Sequence, residues 1–170
     1  MDQYLFPILL FAHVFGAIVT FGPSFVFPIL ARQSQAMPQG GHFAAVLGET
    51  IERRLVIPGA IVQGITGVGL AWILAARGVD LSSAPFRWLL LGIFLYVIAI
   101  GYAILVQSKA AERLVEITRG MSGPPPAGAP AGPPPELLET AAKLQRGGII
   151  LTLLLVGIVF LMVVKPAIGS

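Results

Sequence analysis

Cysteine is absent from this 170-residue chain. Its absence rules out disulfides, thiolate metal sites, iron–sulfur clusters and thiol nucleophiles, and leaves the redox compartment unread. Charge is scarce too: Asp, Glu, Lys and Arg make up 11% of the residues, against about 25% in soluble domains. No carboxylate interrupts the long apolar runs, which removes the usual mark of a proton- or ion-coupled transporter. There is no glycine-rich phosphate loop and no nucleophile elbow. The net charge of +3 is modest and forms no basic stripe, so no nucleic-acid partner is expected. Met1-Asp2-Gln3 lacks the basic start of a secretory signal, and the apolar run behind it is too long for a signal core. The first segment is therefore expected to stay in the membrane.

Hydrophobic residues account for 56% of the chain, and the mean hydropathy is +0.87. A soluble fold of this size has too little interior to hide that much apolar surface, whereas a bilayer makes hiding it unnecessary. A hydrocarbon core about 30 Å thick needs about 20 apolar helical residues. Four segments qualify: about 4–31, 55–76, 86–106 with a polar extension to 119, and 147–164. Lipid demands internally satisfied backbone groups, so all four are read as helices. The expected fold is an all-α, integral membrane four-helix bundle with antiparallel up-down topology, a single transmembrane domain over residues 1–170. Pro7 falls in the first turn of segment one, where its missing N–H costs little, while Pro23 and Pro28 predict a kink or an early end.

The connections are unequal. Gln33-Ser34-Gln35 and Pro38-Gln39-Gly40-Gly41 read as turn, and His42 to Arg54 as a short interfacial helix leading into segment two. Arg77 to Pro85 is a tight turn. Gln107 to Arg119 continues segment three as an alternately charged helix. Residues 120–135, GMSGPPPAGAPAGPPP, are a Pro/Gly-rich loop between the third and fourth helices, expected to be a flexible linker. Glu136 to Arg146 reads as a helical lead-in to segment four. No internal repeat is evident. Eight of the 11 Lys and Arg residues fall in the first and third connections, and Arg77, Arg87 and Lys165 fall on the opposite side. The positive-inside rule then puts both large connections in the cytoplasm and both termini outside.

His13 is the leading candidate for chemistry. It lies about 14 Å into segment one at 1.5 Å per residue, where a polar group is costly and usually faces the bundle interior. Neutral imidazole is a common metal and haem ligand. Equally, His13 can hydrogen-bond Tyr96, Thr66 or a carbonyl at similar depth, with Gln63 nearby. His42 and Met162 are the available second ligands, and neither matches its depth. Arg53 and Arg54 suit a lipid head group or a porphyrin propionate, or plain positive-inside anchoring with local ion pairs. In segment two, Gly59, Ala60, Gly64, Gly67, Gly69 and Ala71 permit close helix packing, or leave room for a flat cofactor. Ala60 and Gly64 form a small-xxx-small step, and Thr66, Gly67 and Tyr96 join them as expected packing positions. Tyr4, Trp72 and Trp88 suit an aromatic belt, and Lys165 is placed to snorkel to the outer interface.

Three pieces of the chain carry a family likeness. They are His13-Val14-Phe15-Gly16-Ala17 with Gly22 beyond it, Glu52-Arg53-Arg54-Leu55 followed by Pro58-Gly59-Ala60, and the ending Gly157 to Pro166. In that order they span nearly the whole sequence. The chain resembles an uncharacterised bacterial membrane family, a domain of unknown function related to HemJ-type protoporphyrinogen oxidases and CopD-type copper-resistance membrane domains. The resemblance implies a bacterial cytoplasmic (inner) membrane location and, from the HemJ-like branch, haem b on His13. HemJ-like proteins carry a lysine early in the third helix; Phe86-Arg87-Trp88-Leu89-Leu90-Leu91 has none, which puts oxidase activity in doubt. No activity is assigned, and no metal is expected beyond a haem iron at His13. The expected function is a small multi-pass, non-catalytic or accessory membrane component, with the bilayer and a larger complex or a homo-oligomer as partners. The alternative is a haem-b-binding membrane oxidoreductase. Copper handling has less support, because clusters of Met or His are absent.

Overall fold

The structure, a computed structural model, describes residues 2–36, 40–121, 132–166 and 168. All regular structure among them is helical. The elements are α1 (Asp2–Phe21), α2 (Phe27–Ala36), α3 (Gly41–Ile51), α4 (Ile57–Ala76), α5 (Arg87–Tyr102), α6 (Ser108–Gly120) and α7 (Pro135–Val164). Four helical rods are long and apolar enough to cross a membrane: Tyr4–Ser34, Gly41–Ala76, Ala84–Gly120 and Pro135–Val164.

The breaks follow local chemistry. Pro23 has no N–H and its ring clashes with the preceding turn, so α1 gives way to a 3₁₀ turn over Gly22–Val26 before α2 resumes. Helix then runs on through Gln33-Ser34-Gln35, which reads as turn in the sequence. No breaker occurs there, and Ser34 Oγ donates back to the Ala31 carbonyl at 2.8 Å. The expected turn at Pro38-Gln39 and most of the Pro/Gly-rich linker, residues 122–131, lie outside the described residues. Pro135 opens α7 at a position where its missing N–H costs nothing.

Helix also runs unbroken from Gly41 to Ala76 and from Ala84 to Gly120. In each rod a wide π turn, Glu52–Val56 or Ala103–Gln107, joins the longer apolar helix to the shorter helix, α3 or α6. Such turns accommodate one residue more than an α-turn. The rods have 36 and 37 residues, hence about 54 Å of length, well beyond a bilayer core of about 30 Å. The connection between them is tight: Ser82 N and Oγ donate to Asp80 Oδ1 at 2.9 and 2.6 Å. These bonds hold the Asp80 carboxyl below the usual carboxylate range. Away from this pinned turn, at the other end of the two rods, α3 and α6 pack together.

Two helix pairs make up the apolar part, α1 with α4 and α5 with α7. Along the first, Leu9 meets Gly69, His13 meets Gly67, Gln63 meets Gly16, and Thr20 meets Gly59. Along the second, Met162 meets Gly92 and Leu95 meets Gly157. Residue numbers rise on one helix as they fall on the other. At the pinned end, Ala71, Trp88, Leu89 and Leu161 form a buried cluster. Trp88 is thus a core residue and not a belt residue. Lys165 lies over its ring at 5.7 Å, so this ammonium covers an indole instead of only reaching for the interface. Trp72, by contrast, is 75% exposed.

Candidate functional site

The α1–α4 seam brings together His13, Thr20, Gln63 and Thr66. His13 Nδ1 and Thr66 Oγ1 are 2.8 Å apart. The Thr66 hydroxyl has one proton, and it points back into its own helix, at the Val62 carbonyl 3.0 Å away and the Gln63 carbonyl 3.1 Å away. With the proton so placed, its oxygen accepts and His13 Nδ1–H donates. That arrangement corresponds to a neutral imidazole with its proton on Nδ1 and its lone pair on Nε2. Among the described residues His13 Nε2 has no hydrogen-bond partner.

One turn along, Gln63 reaches back across the seam. Its Nε2 donates to the His13 main-chain carbonyl at 2.7 Å. Gln63 is 5% exposed, and its Oε1 is buried without a partner among the described residues. An orphaned acceptor of this kind costs about 1–3 kcal/mol. Gly16 makes the approach feasible, since a Cβ there would sit 2.8 Å from Gln63 Nε2.

Most of the small residues of α4 have an identified occupant. The His13 ring covers Gly67, with Cε1 3.2 Å from where a Cβ would be, and a Leu9 methyl stands 3.2 Å from the corresponding point at Gly69. Thr20, 4% exposed, is pressed onto Gly59. Gly64 is covered by Tyr96 from α5, whose hydroxyl oxygen is 2.7 Å from the same kind of point. That hydroxyl donates to the Ala60 carbonyl at 2.6 Å. The small-xxx-small step thus receives an aromatic side chain rather than another backbone. Tyr96 binds the two helix pairs together and does not hydrogen-bond His13.

The two arginines part company at the π turn. Arg53 is engaged, with Nη1 3.1 Å from Glu112 of α6 and 3.5 Å from Glu49 of α3. Arg54 makes no hydrogen bond or ion pair among the described residues. Instead it lines a groove of about 330 Å³ between α1 and α4, together with Phe15, Val19, Thr20, Val62 and Gln63. His13 lines neither this groove nor a second one of about 400 Å³ between α4 and α5.

The two candidate second ligands are engaged elsewhere. His42 Nδ1 lies 3.1 Å from Thr118 Oγ1 of α6, and Thr118 donates back to the Leu114 carbonyl at 2.8 Å. The Met162 methyl sits against Gly92 of α5. Among the described residues no group of three His, Cys, Asp or Glu side chains could hold a metal ion.

Sequence reading passed over Gln107. Its Nε2 donates to the Leu144 carbonyl of α7 at 3.1 Å, with its Oε1 pressed onto Gly147 and the Tyr102 hydroxyl 3.1 Å from the position a Gly147 Cβ would take. The available signal was a glutamine ending an apolar run, opposite a Gly-Gly pair opening another.

A family model described as "Predicted integral membrane protein (DUF2269)" matches residues 7–166. No curated protein and no solved structure matches the chain.

Proposed function

The chain belongs to the DUF2269 family of predicted integral membrane proteins, and from that premise we propose that it is a non-catalytic, accessory component of a larger membrane assembly. The observation that carries the reading is how its intramembrane polar groups are used. His13 with Thr66, Gln63 with the His13 carbonyl, Tyr96 with the Ala60 carbonyl and Gln107 with the Leu144 carbonyl each tie two helices together. Groups spent on helix contacts give the bundle rigidity and leave its broad apolar flanks, such as Phe11, Ile65, Leu153 and Val163, to meet lipid or another protein. The bundle is up-down and antiparallel, in keeping with the opposed numbering along both pairs, and lies in the bacterial cytoplasmic membrane with both termini outside, in keeping with the Lys and Arg distribution. Purification from native membranes in mild detergent tests the role. A stoichiometric companion protein or a stable homo-oligomer is expected. A monodisperse monomer without a companion overturns it.

A second reading, haem b on His13, is favoured by one feature: Thr66 holds the imidazole with Nε2 free, as an axial ligand requires. The surroundings fit less well. The glycines that would make room for a porphyrin are filled by Leu9, His13, Thr20 and Tyr96, and His13 lines neither groove. One donor is in place and the cavity is not, so no redox step follows from this geometry. An absorption spectrum of the purified protein separates the readings. A Soret band lost in His13→Ala supports haem, and a colourless folded protein overturns it.

A further inference from the structure

Two grooves on the bundle open sideways, and they differ in chemistry. The α4–α5 groove, lined by Ile61, Gly64, Ile65, Val68, Tyr96 and Ile100, has only the Tyr96 side chain for polarity. The α1–α4 groove has a cation at one end. Arg54 stands at the π turn where the apolar part of the second rod begins, and Phe15, Val19 and Val62, all more than two-fifths exposed, form the apolar walls further along.

The neighbouring arginine makes the position of Arg54 informative. Arg53 has the same charge and the same depth on the helix, and it is neutralised by Glu49 and Glu112. Arg54 has no carboxylate partner among the described residues. A guanidinium at a membrane boundary with an empty fork is a site for a phosphate, because five N–H donors in a plane match two phosphate oxygens. A groove with that cation at its boundary end and branched and aromatic side chains running towards the bilayer centre matches an amphiphile whose anion and hydrocarbon are arranged in the same order.

We propose that the α1–α4 groove seats an anionic phospholipid, with its phosphate on Arg54 and an acyl chain along Phe15, Val19 and Val62. The lipid comes from the leaflet in which the π turn lies. A volume of about 330 Å³ is at the small end of ligand pockets, sufficient for part of one chain and not for a whole lipid, so the remainder stays in the bilayer. This inference is independent of the accessory role: a lipid seat is compatible with an isolated protein or with a subunit.

The test uses the full chain reconstituted in vesicles of equal parts phosphatidylglycerol and phosphatidylcholine, then extracted in mild detergent, with retained lipid measured by mass spectrometry. The wild type is expected to retain phosphatidylglycerol preferentially. Arg54→Gln should lower that preference about tenfold, the usual effect of losing one hydrogen-bonded contact between charged groups. Arg53→Gln, which removes the same charge one residue away, should leave it unchanged. Val62→Trp fills the groove with all charges intact and should also displace the lipid, with circular dichroism confirming that the helices remain. Equal losses in the two arginine variants would reduce the effect to general surface charge and overturn the proposal. So would wild-type retention without preference, or retention of a porphyrin in place of lipid.

Discussion

Gln63 and Gln107 make the same contact in the two helix pairs. Gln63 donates to the carbonyl of His13, three residues before Gly16, and Gln107 donates to the carbonyl of Leu144, three residues before Gly147. In both, the glycine clears the space that the amide occupies. A helical carbonyl already accepts from its own helix, so the glutamine uses its second lone pair and costs the partner helix no bond. Inside a bilayer such a contact adds a directional link where apolar side chains supply little preference for one neighbour over another.

The glycine under each amide is therefore expected to be intolerant of a methyl group. At Gly147 an added Cβ would collide with the Gln107 side chain, while at Gly148 it would meet nothing within 4 Å. Gly147→Ala should destabilise by about 1–3 kcal/mol, the usual cost of overpacking. Gly148→Ala should be neutral or slightly stabilising, since alanine is the better helix former. Thermal unfolding of the two variants in detergent checks the contrast; equal effects would mean that the amide moves aside freely.

This pairing was not legible in the sequence, whereas the membrane character was. Four apolar runs and 11% charge decide the environment by composition alone, with no knowledge of which helices touch. The reach of Gln107 depends on rotation about α5, and a π turn at Ala103–Gln107 changes that rotation with no marker residue. The π turn at Glu52–Val56 likewise turns Arg53 towards Glu112 and Arg54 towards the groove, a division that two adjacent arginines do not reveal. Trp88 was misplaced for a related reason. Depth put it at the interface, but burial is set by which way the helix faces, and Trp88 faces Ala71 and Leu161.

Thr66 and Thr152 offer a matched pair for weighing the His13 contact. Both hydroxyls donate to a carbonyl four residues earlier, Val62 and Gly148 respectively. Only Thr66 also accepts from a side chain on another helix. Valine at either position removes the back-bond, which adds little stability. Thr66→Val additionally leaves the half-buried Nδ1–H of His13 without an acceptor, at about 1–3 kcal/mol. Thr66→Val is thus expected to lower the unfolding midpoint clearly, and Thr152→Val hardly at all. In Thr66→Val, the ring resonances of ¹⁵N-labelled His13 should also show that Nδ1 is no longer uniformly the protonated nitrogen.

Tyr96→Phe keeps the ring over Gly64 and removes only the hydroxyl that donates to the Ala60 carbonyl. The Ala60 carbonyl retains its own helical bond, so the loss should be about 0.5–1.5 kcal/mol. Because Tyr96 joins the α1–α4 pair to the α5–α7 pair, the change should also loosen them relative to each other. Faster amide exchange along α4 and α5 than along α1 and α7 would be its sign, and uniform exchange would mean that the hydroxyl bond does not hold the pairs together.

Orientation can be tested cleanly because the chain contains no cysteine to mask. Ser82 is exposed in the turn after α4, and Glu139 is exposed on the polar part of α7. The opposed residue numbering along both pairs puts these two positions at opposite ends of the bundle, and the proposed up-down arrangement would put them on opposite sides of the membrane. The excess of Lys and Arg lies with Glu139, so that side should be cytoplasmic. In intact cells, Ser82→Cys should react with a membrane-impermeant maleimide, and Glu139→Cys should react only after the cells are opened. The reverse pattern would invert the protein and put the Arg54 groove in the outer leaflet. Labelling of both positions in intact cells would contradict the up-down arrangement, because it requires an odd number of crossings between residues 82 and 139.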